Sequence, residues 1–399
     1  MPEGARALPA LDEELVRPAT SQHPYDVYRR LRDEQPVLWS GQLDCWVISR
    51  YGDARAVLDD IDSFSSAGRV RRDRVAPALW RAFAGFDGFF WSDPPAYDAF
   101  RELWTRSFKP RLKGLPGVVE RVVDELLADV DPGGDVFDAV DVLAFPLPAT
   151  MILELLGIPS AERDTFRKVA ADLIEGGMPA AESMDASATW LQELLEDRQR
   201  HPGDDILSDL VAGRAPVGSL DPIRLRSEIV DIVHFLLAGH ETTTSTIAAG
   251  LFELVRRADD RQRFLNEKAL RVRAVEELLR FESPLQFIER RAARPVAIGG
   301  VGIEAESSVR ILLGSANHDE RVFDRPDELV LDRTPNPHLA FGQGIHVCLG
   351  APLARIEIPI ALERTLRRFP QLELAVAPDE ISWRTDFMFH AIEHLPLAP

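Results

Sequence analysis

Cysteine is nearly absent: the 399 residues hold two, Cys45 and Cys348, far apart and neither in a C-x-x-C pair. That excludes a disulfide framework and makes a structural zinc site an unsuitable reading. Long apolar runs are also missing. No stretch of about 18 apolar residues occurs, so no membrane-spanning helix is expected. The N-terminus is acidic and proline-bearing rather than basic then apolar, so no signal peptide is expected. Lysine stands only at 109, 113, 168 and 268; the other cations are arginines. The net charge of −19 argues against nucleic acid as a general partner. A reducing, cytoplasmic location fits. What the chain does have is an ordinary apolar content of 45%, enough for a core that encloses a cofactor.

Residues 1–22 read as a loose leader, followed by one domain over 23–399. Pro24 opens a helix reaching about Asp33. Val37–Trp39 and Cys45–Ile48 read as a hairpin, with Cys45 alternating with Val47 as a core residue. Residues 62–92 gather arginines (69, 71, 72, 74) and aromatics (80, 83, 86, 89, 90, 91), which suggests a lid over an apolar pocket. Asp93-Pro94-Pro95 starts a helix carrying Tyr97, Arg101, Trp104 and Phe108 along one face. More helical patterns follow, and the longest spans 221–255. The β-rich parts are expected near 36–50, 294–315 and 372–399. The fold class is therefore mainly α with small β-sheets.

Two stretches break the rules of a plain core. In the long helix, Ile229, Ile232, Val233, Leu236 and Leu237 form an apolar stripe. It runs into Ala238-Gly239-His240-Glu241-Thr242-Thr243-Thr244, where a glycine, a carboxylate and three threonines sit beside a buried path. Such local violations tend to mark function. The other stretch is His338–Gly350, where Cys348 follows glycines at 342 and 344 and precedes one at 350. Glycines at this spacing let a backbone turn tightly and approach a large flat ligand. A thiolate there suits a soft or borderline metal, including haem iron, although a lone cysteine is more often a small core residue.

Together the motifs resemble the cytochrome P450 family of bacterial haem-thiolate monooxygenases. Phe341-Gly-Gln-Gly-Ile-His-Val-Cys348-Leu-Gly350 is similar to that family's haem loop, Ala238-Gly-His-Glu241-Thr242-Thr to its oxygen-activating helix, and Glu277-Leu-Leu-Arg280 to its Glu-x-x-Arg helix. The likeness spans roughly residues 20–397. It implies the P450 fold, with a long central helix and a haem-thiolate loop, and haem b as cofactor. Cys348 is then the metal ligand, and Phe341, Gly342, Gly350 and Ala238 lie against the haem. Tyr97, Arg101, His346 and Arg290 would hold its propionates, with Arg291 a rival to Arg290. Where the family usually has a histidine this chain has Tyr97, which donates a hydrogen bond without positive charge. Glu241 and Thr242 become the catalytic pair, the first relaying protons and the second bonding dioxygen. Glu277 and Arg280 form a buried structural ion pair. Pro359, inside the helix after the cysteine, is a second departure and should cost one helical hydrogen bond.

By family position the substrate pocket is lined by Phe86, Phe89, Phe90, His234, Leu237, Gln286, Phe287, Ile288, Met388 and Phe389. That implies a mainly apolar small molecule, with His234, Gln286 or Glu289 as polar anchors. The implied partners are O2, a ferredoxin and its reductase, drawing on NAD(P)H, with no nucleic acid or membrane and the enzyme a monomer. A basic patch of Arg101, Arg106, Lys109, Arg111, Lys113, Arg355, Arg364, Arg367 and Arg368 offers an acidic ferredoxin a dock. A peroxide-driven hydroxylase and a non-catalytic haem-binding sensor are the alternatives; neither needs the Glu241–Thr242 pair.

Overall fold

Alternation of apolar residues places Val37–Ser40 against Cys45–Ile48 as an antiparallel pair, with Leu38 opposite Val47. A computed structural model describes residues 9–17, 22–67, 89–162, 165, 168, 177–213, 217, 222–385 and 388–399. The hairpin belongs to a five-stranded sheet in the order 37–40, 45–48, 308–312, 287–292, 64–65. Cys45–Ile48 pairs in parallel with Ser308–Leu312, which pairs antiparallel with Phe287–Ala292. The β-rich regions expected near 36–50 and 294–315 thus pair directly, and the strand Phe287–Ala292, which has no clear signal in the sequence, extends the sheet beyond them towards Phe64–Ser65. Gly299 and Gly300, both at positive φ, turn the small hairpin Val296–Ile298 and Val301–Ile303. The C-terminal Pro396–Ala398 pairs with Phe137–Asp138 and Glu373–Leu374.

The chain divides into two compact units. The first comprises residues 1–65, 116–147 and 242–399 and contains all these sheets. Each face of its main sheet has its own core. One gathers Trp46, Ile48, Val309, Ile311 and Ala292 with the helix Tyr51–Asp59. The other gathers Val47, Phe287 and Leu312 with Leu11, Leu15, Tyr28 and Leu31. Leu11 and Leu15 lie on the helix Pro9–Leu15, and Asp12 of that helix accepts from the Gly41 amide at 2.8 Å. This part of the expected leader is therefore integral to the first unit.

The second unit comprises residues 66–115 and 148–241 and is helical where described. Its helix Ala96–Phe108 begins where the Asp-Pro-Pro signal predicts and buries Tyr97, Trp104 and Phe108. Trp104 and Phe108 meet Phe235 at centroid distances of 4.5 and 5.9 Å. The helix Pro222–Val255 runs without a break for 34 residues. Gly239 is a packing necessity: a Cβ there would lie 2.9 Å from Ile152 Cδ1. No described helix is long and apolar enough to cross a membrane.

Candidate active site

Cys348 is exposed on the first unit, unlike Cys45, which is buried with its thiol pushed up to about 12 by desolvation. The loop that presents Cys348 is closed by its own backbone, the Cys348 amide donating to the Phe341 carbonyl at 2.9 Å. Gly344, at φ +72°, needs its missing side chain twice over, because a Cβ would lie 2.8 Å from the Leu58 carbonyl oxygen. A Cβ on Gly350 would lie 3.8 Å from Cys348 Sγ, so glycine keeps space open beside the sulfur. The helix Ala351–Arg368 then begins, with Pro352 in its first turn and the Leu353 and Ala354 amides donating to the Gly350 carbonyl at 2.9 and 3.1 Å. It continues through Pro359.

Side chains from elsewhere in the first unit fasten this loop. Tyr51 Oη donates to the Pro337 carbonyl at 2.7 Å, and the Leu339 amide donates to Asn317 Oδ1 at 2.7 Å. His338 donates through Nε2 to Glu276 at 3.0 Å. Glu276 also accepts two bonds from Arg355, both 2.7 Å. Burial pushes the Glu276 carboxyl up, but the Arg355 and His338 bonds together bring it down to about 2. Arg355 covers the Phe341 ring at 4.5 Å and is raised by Glu276 first and also by the negative charge of Cys348.

Glu277 and Arg280 form the expected pair, fully buried, with bonds of 2.8 and 2.9 Å. The structure adds Arg333, whose Nε reaches both Glu277 oxygens at 3.0 and 2.9 Å. Arg280 also donates to the carbonyls of Asn317, Pro326 and Glu328. The cluster therefore ties the helix Lys268–Glu282 to the irregular segment leading into the cysteine loop. Nothing in the sequence pattern singles out Glu276, Asn317 or Arg333 for these roles.

In the second unit, His234 meets Phe90 at 5.3 Å and Trp91 at 4.2 Å between ring centroids. Its Nδ1 donates to the Val230 carbonyl at 2.7 Å. Leu237 is half-buried and Ala238 exposed. Glu241 is 7% exposed, and its Oε2 lies 3.4 Å from Nε2 of the fully buried His240. Tyr97 is buried and Arg101 half-buried on their helix. Thr242, which follows Glu241 in the long helix and belongs to the first unit, is half-buried, and its carbonyl accepts the Thr246 hydroxyl at 2.8 Å. Phe86, the Phe89 side chain and the arginines 69–74 lie outside the described residues.

Strand parity separates the residues expected to line the pocket. Phe287 points to the sheet face opposite Ile288 and packs with Tyr28, Leu31 and Val47, beneath the Arg310 guanidinium at 3.9 Å. It belongs to that core. Gln286 is buried and its amide is already used, accepting from Tyr28 Oη at 2.9 Å and donating to the Ser283 carbonyl at 2.7 Å. It links Tyr28 to the Ser283 turn. Glu289 is paired with Arg310. Arg290 is buried on the Ile288 face, whereas Arg291 turns outward to Glu306. Met388 is 45% exposed and Phe389 half-buried.

The basic patch is also smaller than its arginines suggest. Arg364 pairs with Asp124, Arg355 with Glu276, Arg367 with Glu363, and Arg111 with Asp204 and Asp209. Arg368 donates to the Ala128 and Val130 carbonyls. Among the described residues, Arg101, Arg106, Lys109 and Lys113 have no carboxylate partner. Arg101, Arg106 and Lys109 edge an open depression of about 650 Å³ with Asp98, Glu102, Thr105 and Pro110.

An exposed thiol with glycine on either side, a helix N-terminus behind it and a clamped cation beside it fits a flat cofactor bound through sulfur. A family model described as Cytochrome P450 matches residues 196–390. The chain is 38% identical to nocardicin C N-oxygenase of Nocardia uniformis subsp. tsuyamanensis, over 93% of this chain and 94% of that protein. It is 34% identical to 6-deoxyerythronolide B hydroxylase of Saccharopolyspora erythraea, over 94% and 95%. The solved structure of the tirandamycin C-bound P450 monooxygenase TamI superposes with a TM-score of 0.84 at 34% identity, covering 95% of this chain and 98% of that one.

Proposed function

The chain belongs to the cytochrome P450 family and is a haem-thiolate monooxygenase, and on that premise we propose that it oxidises a mainly apolar small molecule of secondary metabolism with electrons from NAD(P)H through a ferredoxin. The exposed Cys348 in its clamped glycine loop carries the reading. Cys348 would hold haem b through its sulfur, and the cofactor would supply the iron chemistry of oxygen activation. Arg290, rather than Arg291, takes a propionate, because Arg291 is engaged by Glu306. Arg101, Tyr97 and His346 supply the other propionate contacts. By family position, the residues proposed to contact substrate include Phe90, His234, Leu237, Ile288, Met388 and Phe389. The relatives' names (nocardicin C, 6-deoxyerythronolide B, tirandamycin C) support a natural product as the substrate class. The enzyme works as a cytoplasmic monomer.

Glu241 relays protons and the Thr242 hydroxyl receives them. A largely buried carboxylate with an imidazole 3.4 Å away has a short-range exchange partner for its proton. Glu241→Gln removes the relay while preserving shape. Turnover is expected to fall by roughly 10²–10⁴-fold with substrate affinity unchanged, and with more peroxide released per NADPH consumed. An unaffected rate in a peroxide-fed assay, with no turnover from a ferredoxin system in the wild type, would instead identify a peroxide-driven hydroxylase.

The ferredoxin dock is expected at the uncompensated cations of the second unit. Arg106→Glu with Lys109→Glu should slow ferredoxin-driven reduction about tenfold or more at low salt and lose its effect at high salt. Arg364→Ala should change little, since Asp124 already neutralises it. Equal effects from both variants would contradict this placement.

A further inference from the structure

In the first unit, away from the cysteine loop, a buried histidine faces a buried carboxylate. His390 is 4% exposed and Glu282 is 5% exposed. His390 Nε2 lies 3.2 Å from the Gln22 carbonyl oxygen, which can only accept, so Nε2 carries a proton. The other nitrogen, Nδ1, lies 3.4 Å from Glu282 Oε2 and meets no donor among the described residues. A bare imidazole lone pair and an ionised carboxylate at that distance would repel in a site with little water.

Among the described residues, the surroundings supply no donor to relieve this. The Trp383 ring stacks on His390 at 4.1 Å with an interplanar angle of 18°, a face that favours a cation. Tyr25 stands edge-on at 5.7 Å, and its hydroxyl is spent on the Phe281 and Glu282 carbonyls. Burial keeps the Tyr25 hydroxyl protonated and keeps His318, beside it at 4.1 Å, from taking a charge. Glu282 is the last residue of the helix Lys268–Glu282, where the macrodipole opposes a negative charge and favours a positive one. Glu253, held by Arg256 and Arg257, adds a second negative charge facing Glu282. Arg280 is engaged by Glu277.

We propose that Glu282 and His390 hold one proton between Oε2 and Nδ1, and that this pair is the latch that sets the position of Met388 and Phe389. The segment they secure is tied to the strand region by the Gln286 amide donating to Met388 O at 2.8 Å and the His390 amide donating to Pro284 O at 3.0 Å. Leu285 and Phe389 form the bridge between them. Glu282 and His390 are thus positioning residues for the substrate, which rests on the reading above that Met388 and Phe389 contact it. Without the shared proton the two acceptors push apart and the turn loosens.

The test uses the haem-loaded enzyme in its diamagnetic reduced carbon monoxide form. The ¹⁵N spectrum of His390 should show Nδ1 protonated or strongly hydrogen-bonded at neutral pH; the signature of a bare lone pair would overturn the proposal. Glu282→Met removes the proton site at similar length, and exchange of the Gln286 and His390 amides should accelerate about tenfold or more. Glu282→Gln donates its own N–H to Nδ1 and should restore near-native exchange. Equal exchange in Glu282→Met and wild type would also overturn the latch. Faster exchange with an unchanged substrate dissociation constant would sustain the latch and remove Met388 and Phe389 from the substrate site. Faster exchange with a changed constant but unchanged maximal rate would sustain both.

Discussion

Glu277→Ala is expected to destabilise the protein by about 3–5 kcal/mol, a large share of the roughly 5–15 kcal/mol that holds a typical domain together. The substitution strands two guanidiniums, since Arg280 and Arg333 both bond to this carboxylate. Arg280 is fully buried, so water cannot take the lost partner's place. The Val330 amide, 2.9 Å from Glu277 Oε1, loses its acceptor as well. Glu277→Gln should cost less, because the amide oxygen still accepts while the charge is lost. Urea midpoints for the wild type and the two variants decide the matter, together with haem content. The order expected is wild type, then Gln, then Ala. A loss below about 1 kcal/mol for Ala would mean that the cluster is solvated in solution, as exposed pairs are. The consequence for the active site is indirect. Arg280 fixes the carbonyls of Asn317, Pro326 and Glu328, and Asn317 in turn holds the Leu339 amide at the start of the cysteine loop. Haem affinity should therefore fall with stability even though no atom of Glu277 belongs to the loop.

Local signals were readable where the chemistry depends on neighbours in sequence. The long helix was expected over 221–255 and runs over 222–255, because its apolar stripe has helical period and Pro222 opens it. The Cys348 loop could be read because glycine at positive φ leaves a trace in the sequence. Residues whose meaning depends on distant partners could not be read this way. Arg364 looks like free positive charge until Asp124, 240 positions away, is placed beside it. The strand Phe287–Ala292 escaped because Glu289, Arg290 and Arg291 give it no apolar alternation. Glu289 is matched across the strand pair by Arg310, a partner fixed only by register. The same register sends Phe287 and Ile288 to opposite faces, a difference that family position alone does not reveal.

Cys348→Ala should abolish the red-shifted Soret band of the reduced carbon monoxide complex, and with it monooxygenase turnover, because no other described residue of the loop offers a thiolate. Arg355→Ala separates ligation from its electrostatic support. Arg355 lies on the helix behind the loop, held by two 2.7 Å bonds to Glu276, and it feels the charge of Cys348. The variant keeps the sulfur but removes a cation that favours its ionised form. It also leaves Glu276 with His338 alone. Since Arg355 is the leading hydrogen-bond partner drawing Glu276 down to about 2, the carboxyl should move back toward its ordinary range. The stabilisation from that depressed carboxyl is present above the ordinary carboxylate range and is lost as pH falls toward 2, so Arg355→Ala should narrow the acid tolerance of the loop. Haem affinity should drop about 10–100-fold with the red-shifted band retained, the behaviour of a group supporting a ligand rather than supplying it. A spectrum of Arg355→Ala identical to that of Cys348→Ala would mean that the thiolate does not survive without its counter-charge. A spectrum and affinity unchanged from wild type would mean that the helix N-terminus and the loop amides stabilise the sulfur's charge by themselves.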